Sequence, residues 1–354
     1  MIDFRYHLVS LISVFLALAV GIILGAGPLQ NAIGDQLTDQ VEALRDERTA
    51  LRDSLAETEA ELSDQNAFAL AAGAELVDGS LDGVAVAVVD ADAVPDTLEI
   101  EVVNQLEAAG ARVVAQTSLT PAWSSLEDEV LRGTVADGQR SQLGDLVPQD
   151  ATTSEVLGTV LGLSLTEADA QGSGARAERA VELYQLLASV GLLESRFAPS
   201  APADAVLLLA PGGEDAAATA SPDDEAPAED VDMVSTVSAL EEIAGTTVVA
   251  GPTLLEGDLV ADVRGDEQVA ESVSTVSGIE QEILRMDVPL ALAAQHAGQV
   301  GHYGFEEGAT PVPPAVDLSA GDDTSDGADD SGDDSGTDGS GAQDATGDET
   351  EESS

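Results

Sequence analysis

The chain has 354 residues, of which 68 are Asp or Glu and 12 are Lys or Arg, with three His, no Cys and a formal net charge of −56. That balance excludes a nucleic-acid binder working through a basic surface, because no excess positive charge exists to displace counterions. The missing thiols exclude disulfides, thiolate metal sites and cysteine nucleophiles. Every basic residue is Arg, and with only 3% aromatic residues the core must be built from Val, Leu, Ile and Ala.

Residues 1–5 form a short N-terminal segment, and residues 6–27 read as a transmembrane helix. No formally charged side chain occurs between Arg5 and Asp35, and Leu8 to Ala26 is broken only by Ser10 and Ser13 among strongly apolar neighbours. At a rise of ~1.5 Å per residue this run matches a hydrocarbon core of ~30 Å. A cleaved signal peptide is the rival reading, but its apolar region would be shorter, ~7–15 residues, and Pro28 follows the small residues where cleavage would fall. The expectation is a single-pass anchor in the cell membrane or envelope. Arg5 lies before the span and the next basic residue is Arg45. The charge bias therefore favours a cytoplasmic N-terminus with the bulk of the chain extracytoplasmic.

Within the span, Ala17, Gly21 and Gly25 recur at intervals of four. Small residues so spaced let membrane helices approach closely, although Gly is also common in such helices for no such reason. Residues 29–70 read as a coiled-coil stalk: Leu37, Val41, Leu44, Arg48, Leu51, Leu55, Thr58 and Leu62 alternate by fours and threes. That spacing is a heptad seam, and Arg48 and Thr58 on it cost stability while fixing register. The alternative is an amphipathic helix folded onto its own domain. The expected partners are the membrane and further copies of the chain, a homo-oligomer formed through the helix and the stalk.

Residues 81–308 read as an α/β domain with a mainly parallel sheet. Val84 to Asp90, Arg112 to Ala115, Ala205 to Leu209 and Thr247 to Ala250 have the apolar, β-branched character of buried strands. Helical patterns cover Thr97–Ala109, Ala175–Phe197 and Val231–Ala244. Strands alternating with helices give this fold class. Helical stretches near Ser124–Leu131 and Ser154–Leu163 read as an insertion, and 211–230 as a solvated acidic loop.

Ligands of such sheets sit beyond the carboxyl ends of the strands. Those ends carry Asp90 and Asp92, Thr117 and Ser118, Gly212 and Gly213, and Gly251 to Thr253. No glycine fingerprint, P-loop lysine or nucleophile elbow occurs among them. Asp90 is either a metal or general-base carboxylate or, in so acidic a chain, one more surface acid. No catalytic constellation emerges, and the chain is expected to be non-enzymatic. Copper(I) favours Met, Cys and His ligands, but Met1, Met233 and Met286 are far apart. His296 and His302 straddle a helix end at Gly298, and they are the candidate two-imidazole metal site. Their plain alternative is one surface histidine and one capping its own turn.

Residues 309–354 read as a disordered acidic tail. From Gly321 to Ser354 there are 13 acidic residues and no basic ones, which leaves 55 acidic against 12 basic residues in the first 320. A tail of this composition cannot offset its ordering entropy. The acidic remainder repels itself and is expected to be tolerated where salt screens it, as in a halophilic host.

The run from Asp3 through Phe-Arg-Tyr-His-Leu-Val-Ser to Gly25-Ala-Gly-Pro-Leu29 resembles the start of the mycobacterial copper transport protein B family. Leu290-Ala-Leu-Ala-Ala-Gln-His-Ala-Gly298, Gly301-His-Tyr-Gly304 and Gly308-Ala-Thr310 are similar to that family's C-terminal signature. The resemblance spans about Met1 to Pro314. It implies an actinobacterial envelope protein of copper homeostasis and efflux, with copper as the transported or sensed ion. Two alternatives remain beside that function: an envelope scaffold with no metal role, and an extracytoplasmic α/β ligand-binding module.

Overall fold

The computed structural model describes residues 4–91, 94–212, 232–252, 254, 257–316 and 318, and of residues 26–36 and 38 the backbone alone. The expected acidic loop from residue 213 onward, the tail from 317 save Leu318, and Asp92, Gly213 and Thr253 lie outside the described residues.

The chain begins with one continuous helix, α1 (Phe4–Val77). The stretch Phe4–Gly25 is long and apolar enough to cross a membrane, and none of it is buried in the protein. Stalk and span are therefore one helix rather than two joined by a break. Its C-terminal end meets the domain through buried Val77 and Leu81. At Gly73 an added Cβ would lie 2.5 Å from Met286 Sδ, so only glycine permits this contact.

Strand β1 (Ala85–Asp90) leads through α2 (Asp96–Ala108) to β2 (Arg112–Leu119). Then come α3 (Glu129–Leu143), α4 (Thr153–Thr166), α5 (Glu178–Ser189) and β3 (Leu193–Phe197). Strand β4 (Ala205–Leu209) precedes α6 (Met233–Ala244) and β5 (Thr247–Ala250). The remainder is α7 (Leu259–Gly265), α8 (Glu267–Ala270), β6 (Ser274–Val276), α9 (Glu282–Arg285), α10 (Asp287–His296) and β7 (His302–Tyr303).

The strands form one sheet in the order β3-β2-β1-β4-β5-β6-β7, parallel except for the antiparallel edge strand β3. Every residue of β1, β4 and β5 is buried, as expected where helices cover both faces of a parallel sheet. Ala85, Ala87 and Val89 of β1 join the main apolar cluster with Val156, Leu157, Val160 and Leu161 of α4.

The expected insertion is thus part of the core. Helix α4 starts with a capping box between Thr152 and Glu155, and its residues from Val156 to Leu163 are all buried. It packs so closely on α6 that a Cβ at Gly162 would lie 2.9 Å from Ile243 Cβ.

Two further expectations change. The helical pattern read as far as Phe197 stops at Ser189. Gly191, with φ of 82°, turns the chain, and the following residues pair with β2, Leu119 opposite Leu193. The tail was expected from 309, yet the Thr310 N–H bonds to the His302 carbonyl at 2.8 Å and Pro313 is buried. The chain stays against β7 past that boundary.

Candidate functional site

Successive connections leave β1 in opposite directions: the chain passes to β2 on one side, while β4 pairs on the other. A crevice at the carboxyl ends of β1 and β4 is the place where such sheets bind ligands. Asp90, the last residue of β1, stands there. It is only 5% exposed, so the plain surface reading of Asp90 fails. The inward alternation of a central strand carries its side chain into the protein.

Ser118, its register partner on β2, donates a 2.9 Å hydrogen bond from Oγ to Asp90 Oδ2. Oδ1 is buried without a partner. Burial, and next the charge of Glu99, push the Asp90 carboxyl up to about 7 against the restraint of the Ser118 hydrogen bond. Glu99 itself is 2% exposed, in the first turn of α2. Its carboxyl is also raised, by burial before anything else. Arg196 reaches over from the edge strand, 3.2 Å from Glu99 and paired as well with Asp96.

This arrangement selects by charge. A helix N-terminus beside a parallel strand usually favours phosphate, but here Asp96 and Glu99 occupy the first turn of α2. Three carboxyl groups face one guanidinium, so this end of the sheet disfavours anions and suits a cation, a proton or a neutral hydrogen-bond donor. Among the described residues no group of three or more His, Cys, Asp or Glu is placed to hold a metal ion.

A second polar network lies at β6 and β7. Arg264 Nε donates to Thr275 Oγ1 at 2.7 Å, its Nη2 donates to the Tyr303 carbonyl at 2.9 Å, and its Nη1 pairs with Glu306. Ser277 Oγ donates to the same Glu306 carboxylate at 2.6 Å. Burial opposes ionisation of Glu306, but the Ser277 and Arg264 hydrogen bonds outweigh it and hold the carboxyl below its usual range. A neighbouring knot centres on Gln295: its Oε1 accepts from the Ser274 N–H at 3.1 Å and from the Ser274 hydroxyl, while its Nε2 donates to the Ser272 carbonyl at 2.6 Å. Gln295, His302 and Tyr303 all belong to the C-terminal signature. In this structure they dock two very short strands.

The two candidate imidazoles are engaged separately. His296, exposed at the end of α10, has Nδ1 at 3.3 Å from Thr246 Oγ1. His302, half-buried on β7, has Nδ1 at 2.9 Å from Thr275 Oγ1. Burial, reinforced by the charge of Arg264, lowers the His302 pKa. His302 also hydrogen-bonds the Ala270 backbone, which leaves His296 as the less engaged of the two rings.

Along α1, the seam residues Leu37, Val41, Leu44, Leu51, Leu55 and Leu62 are 44–65% exposed. Their own domain does not cover them, which removes the alternative of a stalk folded back onto it. A Cβ on Gly21 or Gly25 would meet nothing within 4 Å, so the small-residue stripe with Ala17 is likewise open.

Sequence reasoning named Asp90 and Ser118 but missed Glu99, Arg196, Arg264 and Glu306. The acidic first turn of α2 was the one local signal. Arg196 and Glu306 join their clusters only through pairing distant in sequence.

Comparison with known proteins follows the same plan from end to end. A family model described as "Copper transport outer membrane protein, MctB" matches residues 1–314. The copper transporter MctB of Mycobacterium bovis is 31% identical over 333 residues, covering 88% of this chain and 99% of the relative. The proteins of that name from two strains of Mycobacterium tuberculosis match to the same extent. The matched region takes in the apolar N-terminal helix, the whole sheet and the Thr310 bridge, and it stops short of the acidic run from Gly321 onward. The chain belongs to the MctB family of copper transport outer membrane proteins.

Proposed function

We propose that this chain is a non-enzymatic, membrane-anchored envelope protein that lowers cellular copper, acting on the efflux side of copper homeostasis. The observation that carries this reading is the family match over residues 1–314, together with relatives of which 99% is covered. The span Phe4–Gly25 supports membrane attachment. Arg5 before it, with no further basic residue until Arg45, supports a cytoplasmic N-terminus and an extracytoplasmic body.

Copper is here the cargo or the signal. Soft-ligand chemistry is sparse, with no Cys and three Met, so the reading assigns copper contact at most to the rings of His296 and His302. It otherwise assigns the protein an indirect part in export. Two observations favour other readings. The uncovered seam of α1 suits an envelope scaffold with no metal role. The unpartnered Asp90 oxygen suits a module binding a small cationic or hydrogen-bond-donating ligand.

The test is cell-associated copper in cells that lack the chain, compared with cells expressing it or its His296→Ala/His302→Ala variant. Efflux predicts more copper on loss and restoration by the intact chain. Equal copper content in all three sinks the proposal, whereas full rescue by the double variant removes the imidazoles from it.

A further inference from the structure

The seam of α1 needs an occupant, and its charges say which one. Within the heptads, Val41, Arg48, Leu55 and Leu62 take the a positions, and Leu37, Leu44, Leu51 and Thr58 take the d positions. Glu47 then falls at g and Arg52 at e of the following heptad. In a parallel, in-register pair those two positions meet across the interface. Three of the chain's 12 basic residues fall within this short stretch, Arg48 on the seam and Arg45 and Arg52 beside it, instead of being scattered over an acidic surface.

We infer that the occupant is a second copy of this chain, paired parallel and in register along Leu37–Leu62, with Glu47 of each copy against Arg52 of the other. The inference rests on the reading of the chain as membrane-anchored. Span and stalk are one helix, so two copies in one membrane run parallel; an antiparallel pair would place its spans at opposite ends. Two strands, rather than three or four, follow from Arg48. A charged a-position side chain escapes to the flank of a two-stranded coil along its own methylene stem, whereas a thicker bundle encloses it. Val41 at a with Leu44 at d also favours two strands.

The same continuous helix separates the two faces expected to act together. Gly21 and Leu37 are sixteen residues apart, which places them about 160° apart around the axis. The stripe Ala17-Gly21-Gly25 therefore faces away from the partner joined through the stalk. The register of the seam enters the membrane as Leu16, Val20 and Ile23, all exposed in the single chain.

The chain has no native cysteine, so single cysteines report the pairing directly in membranes holding the full-length protein. A short bismaleimide should join Leu51→Cys to itself, and likewise Leu44→Cys, while Asp53→Cys and Gly21→Cys stay monomeric. Glu47→Arg in the Leu51→Cys chain should reduce the joined fraction, and adding Arg52→Glu should restore it. Equal joining at positions 51 and 53, joining at 21, trimeric products, or no restoration by the swapped pair would each overturn the proposal. Fractionation of the same cells reads the anchor separately. A chain found in the soluble fraction defeats the anchored reading, and an anchored monomer defeats the pairing alone.

Discussion

Ser118 donates a 2.9 Å hydrogen bond to one carboxylate oxygen of Asp90, whose other oxygen is buried with no partner. In a chain with 68 acidic residues, this buried and half-satisfied carboxyl marks a distinct environment. It stands at the point where strand order reverses. Burial and Glu99 push it up to about 7, and burial does the same to Glu241 and Asp287.

These raised values make stability depend on pH with a definite sign. The folded state holds protons that the unfolded chain releases near pH 4, so the contribution is full below that value and is lost as pH rises toward about 7. Asp90→Asn removes one of the groups. Relative to the native chain, the variant should gain roughly 1–3 kcal/mol between pH 5 and pH 8, after discounting for local relaxation. Urea unfolding at the two pH values checks it, and a difference independent of pH would contradict the burial assigned to Asp90.

Arg264 ties β6, β7 and the following turn together, and its side chain is 14% exposed. Arg264→Ala removes the cation paired with Glu306 and one donor to the Tyr303 carbonyl, leaving each with its Ser277 partner, and should cost about 2–4 kcal/mol. Glu306 has the opposite linkage to Asp90: its contribution is present above the unfolded pKa and is lost as pH falls through the depressed folded value. Amide exchange should accelerate at Thr275 and Ser277 in Arg264→Ala. Unchanged protection there would mean the network does not hold the strands.

Gly158 tests the packing of α4. Replacing a helical glycine with alanine ordinarily gains up to ~1 kcal/mol. At this position the new Cβ would strike the Thr236 carbonyl and come within 3.1 Å of Ala239 Cβ, and backbone cannot yield cheaply. Overpacking should win, for a net loss of about 1–3 kcal/mol. Thermal unfolding of Gly158→Ala beside the exposed control Gly138→Ala, which meets nothing within 4 Å, separates the two effects.

The acidic body predicts a response to salt. With 55 acidic and 12 basic residues in the first 320, self-repulsion opposes the compact state until ions screen it over about 10 Å at 0.1 M and less above. Unfolding midpoints should rise steadily with NaCl. Greatest stability in low salt would remove halophilic adaptation as the reason for the charge.

Strands β1, β4 and β5 were legible because central parallel strands read as unbroken apolar runs. β3 was not: Leu193 to Phe197 carries Glu194 and Arg196 on a sheet edge, and its sequence continues the preceding helical pattern. The Ser-Thr-Val of β6 and the His-Tyr of β7 are too short to show a period, and Gln295 and Arg264 hold them in place from elsewhere. The same reason hid half of the candidate site. Asp90 is visible at a strand end, but its burial depends on α2, and Arg196 arrives from 97 residues beyond Glu99. The helix over Leu37 to Leu62 was plain because its spacing is local.

The central claim, a membrane-anchored role in copper homeostasis, is tested most directly by growth in graded copper of a strain lacking the chain. The strain is complemented either with the intact protein or with one lacking Phe4–Gly25. The account predicts copper sensitivity on loss, recovery with the intact chain and none without the span. Copper tolerance unchanged by the loss would contradict it.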